Sequence, residues 1–232
     1  MDNRLARAVS RPHPISHLRL PVLYSLQVLY FLFPVFCLPA CTSRPAPPSI
    51  LIGIVAPLSG SDAAVGAAFV RGCERAAAER NAAGGVRLRA SGAGVAVALD
   101  VRDDRSETPL AESLLDALAE AGAVVSIATP NDVRAIAQAI VAERIERPLV
   151  VHPATAPGVP GSHMRWVFAL PRDATPPAPA ASSAGASETE IEARAHATLS
   201  AGLAALEGAG ALDPVTVRAA LQSAPPGSAP RD

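Results

Sequence analysis

The stretch from Ile50 to Gly85 constrains the fold more than any other part of this chain. An apolar run at 50–56 ends in the loop 57–60, Pro-Leu-Ser-Gly, whose residues are typical of a tight turn. A helical pattern follows and stops at Gly84-Gly85. Strand, turn, amphipathic helix and glycine stop form the first half of a β-α-β unit, which predicts a parallel sheet covered by helices.

The alternation of strand and helix continues along the chain. After Leu51–Ala56, further strands are predicted at Val95–Val101, Ala123–Ala128, Leu149–Val151 and Arg165–Leu170. Because strands and helices alternate, the predicted fold class is α/β, with a doubly wound, mostly parallel, Rossmann-like sheet.

Helical spacing assigns the apolar residues between the strands to the core. The first helix, about Asp62–Arg80, is predicted to carry one inward stripe, the helix opening at Thr108-Pro109 a second, and the helix capped by Asn131 a third. The three stripes are Val65, Phe69, Cys73 and Ala76; Leu110, Leu114 and Leu118; and Val133, Ile136, Ala137, Ile140 and Val141.

The periodic pattern stops at Thr175. Residues 175–187 form a low-complexity stretch of Pro, Ala, Ser and Gly with nothing to bury, which predicts a linker. Ser187 and Glu190 then form a capping-box pair, and a last short helix starts at Asp213-Pro214. The helix after Ser187 carries the stripe Ile191, Ala195, Leu199, Leu203 and Leu206. The tail 223–232 is predicted to be disordered.

Residues 1–40 predict an export signal rather than part of the fold. Four Arg residues precede Leu20–Ala40, a run without charge, as in secretory signals. The ending Leu-Pro-Ala-Cys resembles a bacterial lipoprotein signal, which implies that Cys41 becomes a lipidated first residue and that 41–49 is a Pro-rich tether. The alternative is a single transmembrane anchor, because 21 uncharged residues could span a bilayer. Both interpretations place the domain outside the cytoplasm.

Composition and spacing argue against several classes of function. Residues 1–40 hold four Arg and one Asp, so the remainder carries 16 basic and 20 acidic residues without a basic cluster, and nucleic-acid binding is not expected. His152, His163 and His196 lack metal-ligand spacing. The chain has neither a phosphate-binding Walker loop nor a G-x-S-x-G nucleophile motif. We therefore predict no enzyme activity, catalytic residue, metal or cofactor.

Several motifs together resemble one family. They are the opening stretch, VRDDRSETPLAE from Val101, HPATAPGVPG from His152 and the late helix pair from Ala195. These resemble the type I periplasmic binding proteins, more narrowly the leucine/isoleucine/valine-binding proteins that feed ABC importers. The resemblance implies a two-lobed fold in which the late helices return to the first lobe, with an ABC permease as a partner.

The second lobe of that family has no counterpart here. The linker 175–187 stands where the second lobe would be inserted, so 50–222 resembles a single lobe of a type I periplasmic binding fold. Family members close the second lobe over the ligand and bury it. If half of the contacts are lost, a micromolar complex near about −8 kcal/mol falls toward millimolar affinity.

The resemblance also implies where a ligand binds. Hydroxyls and backbone N–H groups after the strands would hold the carboxylate of a small amino acid, helped by the positive end of the helix capped by Asn131. Pro130 and Val65 stand where the family has a hydroxyl and an aromatic residue. The alternative is that the polar residues act as turn and cap residues. The candidate ligand-binding residues are Ser59, Ser126, Thr129, Asn131, Ala154 and Thr155.

Three hypotheses of function follow. The chain is a periplasmic substrate-binding-like lipoprotein that binds an amino-acid-type ligand weakly or not at all, attached to the membrane through Cys41. Alternatively, it is a non-transporting accessory or scaffold lipoprotein that uses the lobe as a protein-interaction module. The third hypothesis is a decayed gene product without activity.

Overall fold

The computed structural model describes residues 49–89, 92–153, 159, 161, 163–171 and 185–224. Within these ranges the chain forms six strands and five helices. In chain order they are β1 Ser49–Ala56, α1 Ala63–Ala82, β2 Val86–Arg87, β3 Gly94–Asp103, α2 Thr108–Glu120, β4 Val125–Ile127, α3 Asp132–Ile145, β5 Leu149–Val151, β6 Val167–Ala169, α4 Glu188–Leu206 and α5 Pro214–Gln222.

The six strands form one sheet in the order β2-β3-β1-β4-β5-β6. Every pair is parallel except β2 with β3, which is antiparallel. Ile50, Ile52 and Ile54 of the central strand β1 are fully buried, as expected for a parallel strand covered on both faces. The predicted α/β class with a doubly wound, mostly parallel sheet is confirmed.

Helices cover both faces of the sheet. α1, α4 and α5 bury one continuous cluster that includes Phe69, Leu199 and Val217. α2 and α3 bury two smaller clusters, one around Leu118 and one around Ala139. The most extensive contact between described helices is that of α1 with α4, so the helix that follows the predicted linker packs directly on the first helix of the fold.

The helical stripes of α1 and α4 agree well with the sequence prediction. Cys73 is fully buried in α1. Ser187 caps α4 by accepting a hydrogen bond from Glu190 N at 3.3 Å. All five stripe residues of α4 are buried: Ile191, Ala195, Leu199, Leu203 and Leu206. Large aliphatic side chains at 3.6-residue spacing fix which face of a helix is inside, which is why these predictions hold.

The predicted inward stripe of α3 is wrong for three of its five residues. Val133, Ile136 and Ile140 are exposed, whereas the inner face is built from alanines, Val141, Arg134 and Gln138. Alanines let the helix lie close to the sheet, and the two polar residues turn inward because they bond to buried groups there. A smaller correction applies to α2, whose buried residues are Ala111, Leu115 and Leu118, while Leu110 and Leu114 are partly buried.

Several predictions lie outside the described residues. These include the export signal and Cys41, the linker between 175 and 184, and the tail from 225 onward. The domain bounds 1–40, 41–49, 50–222 and 223–232 therefore stay predictions. No helix within the described ranges has both the length and the apolar character needed for a membrane span.

Candidate functional site

The carboxyl ends of β3, β1, β4 and β5 lie side by side at one edge of the sheet. From β1 the chain passes to β3 on one side, and from β3 it crosses to β4 on the other side. This reversal of strand order opens a crevice between the ends of β1 and β4, the usual ligand position in doubly wound sheets. The loops after these four strands form the candidate site.

Asp103, the last residue of β3, holds the loop that follows β1. Its carboxylate accepts hydrogen bonds from Leu58 N at 2.9 Å, Ser59 N at 3.1 Å, the Ser59 hydroxyl at 2.7 Å and Arg105 N at 2.8 Å. Burial acts to raise the pKa of Asp103, but these hydrogen bonds outweigh it and hold the pKa below its usual value. Asp103 thus joins the end of β3 to the loop that follows β1.

The loops after β1 and β3 are in tight contact. The Ser106 hydroxyl donates to Ser59 O at 3.0 Å and accepts from Asp62 N at 3.1 Å. Gly60 has a positive φ of 84°, and a Cβ there would lie 2.7 Å from the Ser106 oxygen. Arg105 and Ser106 also have positive φ, an uncommon conformation outside glycine. The exposed Ser59 is therefore held in one position by both loops.

A buried ion cluster lies beneath these loops. The Arg134 side chain is 5% exposed; its Nη2 donates to Asp62 Oδ2 at 2.6 Å, and its Nε lies 3.4 Å from Asp104 Oδ2. The hydrogen bond from Arg134 lowers the pKa of Asp62, whereas burial raises the pKa of Asp104. This cluster ties the loops after β1 and β3 to the first turn of α3.

Thr129 and Gln138 extend the cluster under the end of β4. Thr129 is fully buried, and its hydroxyl donates to Asp104 Oδ2 at 3.3 Å. Its backbone N–H donates to Gln138 Oε1 at 3.0 Å, while Gln138 Nε2 is buried and has no hydrogen-bond partner among the residues that the structure describes. The hydroxyl and the backbone N–H of Thr129 therefore both bond within the protein, and neither faces the crevice.

Arg134 and Gln138 were not predicted from the sequence as part of this edge. Both lie in α3 among alanines, where a charged or amide side chain ordinarily faces solvent. Both residues lie in the first two turns of a helix that starts at the sheet edge, and this position indicates that they can reach the site. The strong Val and Ile stripe of the same helix, however, predicts that the opposite face is the inner one.

Two further candidates occupy different environments. Asn131 lies at the edge and caps α3, its side-chain oxygen accepting from Arg134 N at 3.2 Å. Ser126 lies within β4 and is 6% exposed. Its hydroxyl oxygen is 2.7 Å from the position of a Cβ at Gly53 in β1. Thus Ser59 and Asn131 lie at the carboxyl edge of the sheet and Thr129 is buried beneath it, whereas Ser126 lies within the sheet.

Ala154 and Thr155, the candidates after β5, lie outside the described residues. The loop that carries them starts at His152, at the same edge of the sheet. Burial, with a smaller contribution from the positive charge of Arg194, lowers the pKa of His152 to about 4. The imidazole is thus neutral at neutral pH and adds no charge to this end of the crevice.

The acidic residues at the edge do not form a metal centre. Among the residues that the structure describes, no group of three or more His, Cys, Asp or Glu is placed to hold a metal ion. Instead, the carboxylates of Asp62, Asp103 and Asp104 accept hydrogen bonds from backbone N–H groups, hydroxyls and Arg134. The edge is therefore built as a rigid set of loops around one helix N-terminus.

Solved structures similar to this chain include several transport proteins. They are the branched-chain amino acid transporter substrate binding protein LivJ from Streptococcus pneumoniae in complex with isoleucine (27% identity, 52% of this chain, 33% of that chain, TM-score 0.45), a branched-chain amino acid transporter from Rhodopseudomonas palustris (25%, 53%, 32%, 0.45) and the leucine binding protein LivK from Thermotoga maritima (22%, 52%, 33%, 0.44). The alignments thus span about a third of those proteins' length.

No protein of curated function matches the chain. A family model described as "Periplasmic binding protein" matches residues 49–184. The match begins at β1 and contains the four strand ends and the loops of the candidate site. Because it spans more than half of the 232 residues, the chain belongs to the periplasmic binding protein family.

Proposed function

We propose that this chain is an extracytoplasmic substrate-binding-like lipoprotein that binds a small amino acid weakly at the carboxyl edge of its sheet. The observation that carries the proposal is the convergence of the β1 and β4 loops on the N-terminus of α3. Family membership supports ligand binding rather than catalysis as the activity. An ABC permease is the proposed partner, through the resemblance to importer binding proteins.

Each polar group at the edge has a proposed role. Backbone N–H groups of the first turn of α3 receive the ligand carboxylate, because an α-helix N-terminus favours anions. The hydroxyl of Thr155, in the loop after β5, donates one further hydrogen bond. Asp103 and Arg134 do not touch the ligand in this proposal; they hold the loops that shape the crevice.

Weak binding follows from how little of the ligand one lobe can cover. A small-molecule site ordinarily buries most of its ligand, and a cleft with one wall leaves the other side in water. Water then competes for every hydrogen bond that the lobe offers. We expect dissociation constants from high micromolar to millimolar, several orders of magnitude weaker than a closed two-lobed site.

A ligand titration with a matched pair of variants tests this function. Amino acids are titrated into the purified chain by calorimetry and, at millimolar ligand, by NMR line shifts. Thr155→Val removes one hydroxyl that bonds a charged group, a loss of about 1.5–3 kcal/mol, so binding should weaken at least about tenfold. Thr216→Val, in α5, is the control and should leave binding unchanged.

The titration is repeated at two protein concentrations, and three outcomes contradict the proposal. Submicromolar affinity at both concentrations would mean that the lobe completes its own pocket. If none of the amino acids tested binds at millimolar concentration, the chain does not have this function. Equal effects of Thr155→Val and Thr216→Val would remove Thr155 from the site.

Membrane attachment is a separate part of the proposal. Lipidation of Cys41 would hold the domain at the membrane, where a binding protein meets its permease. A Cys41→Ser chain is expected to leave the membrane fraction or to accumulate as an unprocessed precursor of higher mass. If the variant keeps both its membrane attachment and the mass of the unaltered chain, an uncleaved transmembrane anchor replaces the lipoprotein interpretation.

One observation favours the accessory or scaffold role as a second candidate. The outer face of α3 exposes Val133, Ile136 and Ile140, although burying these three side chains would be favourable by about 1.5–3 kcal/mol each. An exposed apolar face of this kind is typical of an interaction surface. In that role the lobe would contact another protein and need no small ligand.

A further inference from the structure

The outer side of strand β3 is an open sheet edge over its second half. Within the described part of the chain, β2 pairs with only the first two residues of β3, whereas β1 pairs with β3 as far as Asp103. At Val97 the side chain of Asn81 caps this outer side: its Oδ1 accepts from Val97 N at 2.8 Å and its Nδ2 donates to Val97 O at 2.9 Å. Beyond this cap, every residue of 98–103 is partly exposed.

The backbone groups of this edge alternate in direction. Val97 turns its N–H and C=O away from β1, toward the side-chain cap, whereas Asp104 donates its N–H to Ala56 O of β1 at 3.1 Å. Because the direction alternates along a strand, Leu99 and Val101 also turn their N–H and C=O groups outward. Among the described residues, no strand pairs with them on that side. Such a row of outward backbone groups is a template for a further strand.

We propose that a second copy of this chain supplies that strand, so that two β3 strands pair antiparallel about a two-fold axis at Val101. A two-fold axis brings the same surface of both copies together and makes the two strands antiparallel. Between the cap at Val97 and the last bond to β1, at Asp104, the free edge is 98–104, and Val101 is its central residue. The backbone groups of Val101 then bond to those of its copy.

The charges beside the axis select this register. Asp100 and Arg102 flank Val101 on one face of β3, are each 27% exposed and pair with each other at 2.8 Å. In the proposed register, Asp100 of each copy lies directly opposite Arg102 of the other, at a position where cross-strand side chains are close. An axis moved by one residue would instead place two aspartates or two arginines opposite each other. Because a guanidinium has five N–H donors, Arg102 keeps its own aspartate and also reaches the second one.

Other occupants fit this edge less well. The segments 41–49 and 175–187 of this chain are rich in proline, which has no N–H to donate to a strand. An uncharged extended peptide would leave Asp100 and Arg102 without cross-strand partners, whereas a second copy carries an acid and a base at the matching spacing. The contact also lies to one side of the crevice between β1 and β4, because β3 is on the far side of β1 from β4.

Amide hydrogen exchange of the full chain in mild detergent, followed by NMR at low and high protein concentration, tests the strand pairing. The outward amides of Leu99, Val101 and Asp103 should exchange at least tenfold more slowly at high concentration. The amides of Asp100 and Arg102 bond to β1 in either state, so their exchange should change little. Strand pairing produces this alternation, whereas a contact through a helix surface does not.

A charge exchange tests the register through co-purification of two differently tagged full chains. Asp100→Arg and Arg102→Asp should each lower recovery of an identical copy at least fivefold, because like charges then face each other twice. When the two variants are co-expressed, each arginine faces an aspartate of the other chain. The mixed pair should be recovered at least fivefold better than either variant with itself. The ion pair within the chain is broken in both variants, so this gain reports the contact between copies.

Two further variants complete the experiment. Val101→Pro removes the outward N–H at the axis and leaves the bonds to β1 in place, so co-purification should fall at least tenfold while urea unfolding shows a folded chain. Arg144→Asp is the matched control for the charge variants. It breaks an exposed ion pair with Asp116 on α3, a helix that contacts β5 and β6, and should co-purify like the unaltered chain.

Three results would overturn the dimer. One is a monomeric chain in sedimentation velocity up to high micromolar concentration, which would leave the edge to a different extended chain. Another is slower exchange at high concentration without the alternation along β3, because the copies would then meet through a different surface. The third is a mixed charge pair that is recovered no better than either variant with itself.

Discussion

Replacing Arg134 by Met should lower the free energy of unfolding by about 3–4 kcal/mol at pH 8, the loss expected when one member of a buried ion pair is removed. Met keeps the length and apolar stem of the side chain but not the guanidinium. Asp62 can be solvated, since it is 30% exposed, whereas Asp104 is fully buried. Asp104 keeps hydrogen bonds from Ser106 N and Thr129, but it loses Arg134, its ion-pair partner within the described part of the chain.

The loss should depend on pH with a definite sign. Burial already raises the pKa of Asp104, and loss of the nearby cation raises it further in the variant. A carboxyl whose folded pKa lies above its unfolded value binds its proton more tightly when folded. The contribution of Asp104 to stability is then greatest at low pH, and it is lost as the pH rises from the unfolded pKa to the folded pKa. Arg134→Met should therefore lose at least about 1 kcal/mol less at pH 5 than at pH 8.

Urea unfolding monitored by the fluorescence of the single Trp, Trp166, measures these differences. Adding Asp104→Asn to Arg134→Met removes the uncompensated charge and should restore most of the stability lost at pH 8. Arg75→Met is the control, because Arg75 pairs with Glu192 on the half-exposed surface and should lose less than about 1 kcal/mol. Equal losses for Arg134→Met and Arg75→Met, or no dependence on pH, would contradict the account of the cluster.

The sheet and most of the helices could be predicted from the sequence because their signals are local. Runs of Ile and Val place β1 and β5, and aliphatic residues at helical spacing place the inner face of α4. Strand β2 could not be predicted from the sequence, since two residues, Val86 and Arg87, carry no periodicity. Gly84 and Gly85, both at positive φ, lead the chain from α1 into β2, and the chain then reverses direction between β2 and β3, so that the two strands pair antiparallel.

The face of α3 shows where the local signal fails. Val133, Ile136 and Ile140 form a good apolar stripe, and yet the inner side is set by Arg134 and Gln138. Arg134 forms ion pairs with Asp62 and Asp104, and Gln138 accepts a hydrogen bond from Thr129 N, so the partners lie in three other segments. Contacts between segments that are far apart in the sequence produce no periodic pattern of residues. This part of the edge could therefore not be predicted from the sequence. By contrast, a doubled aspartate at a strand end, such as Asp103-Asp104, is itself a local signal.

Adding one methyl group to Gly72 should have the opposite effect from adding one to Gly202. Gly72 faces α4 from within α1: a Cβ there would overlap the backbone oxygen of Glu192 and lie 2.8 Å from the Cβ of Ala195. Helix backbone cannot yield locally, so the two helices must move apart and open the cluster that they bury. We expect Gly72→Ala to lower the free energy of unfolding by about 2–3 kcal/mol, typical of overpacking.

Gly202, in the C-terminal third of α4, is the matched control. It is also a buried helical glycine, but a Cβ there meets nothing within 4 Å. Alanine is favoured over glycine in a helix interior by about 0.8–1 kcal/mol. Gly202→Ala should therefore raise the free energy of unfolding by up to about 1 kcal/mol. Helix propensity favours alanine at both positions. A difference in sign between the two variants therefore reports the contact between the helices at position 72.

The sign of the Gly72→Ala result also tests how the two blocks of sequence are assembled. α4 follows the predicted linker 175–187, and its place on α1 makes residues on both sides of that linker share one core. If the two blocks did not pack on each other, Gly72→Ala would stabilise α1 as Gly202→Ala stabilises α4. The urea concentrations at the unfolding midpoints of the two variants decide between these arrangements, provided that the free energy of unfolding depends on urea with the same slope in both. Stabilisation by both would contradict the single lobe, because a glycine at position 72 would then have no close neighbour that requires it.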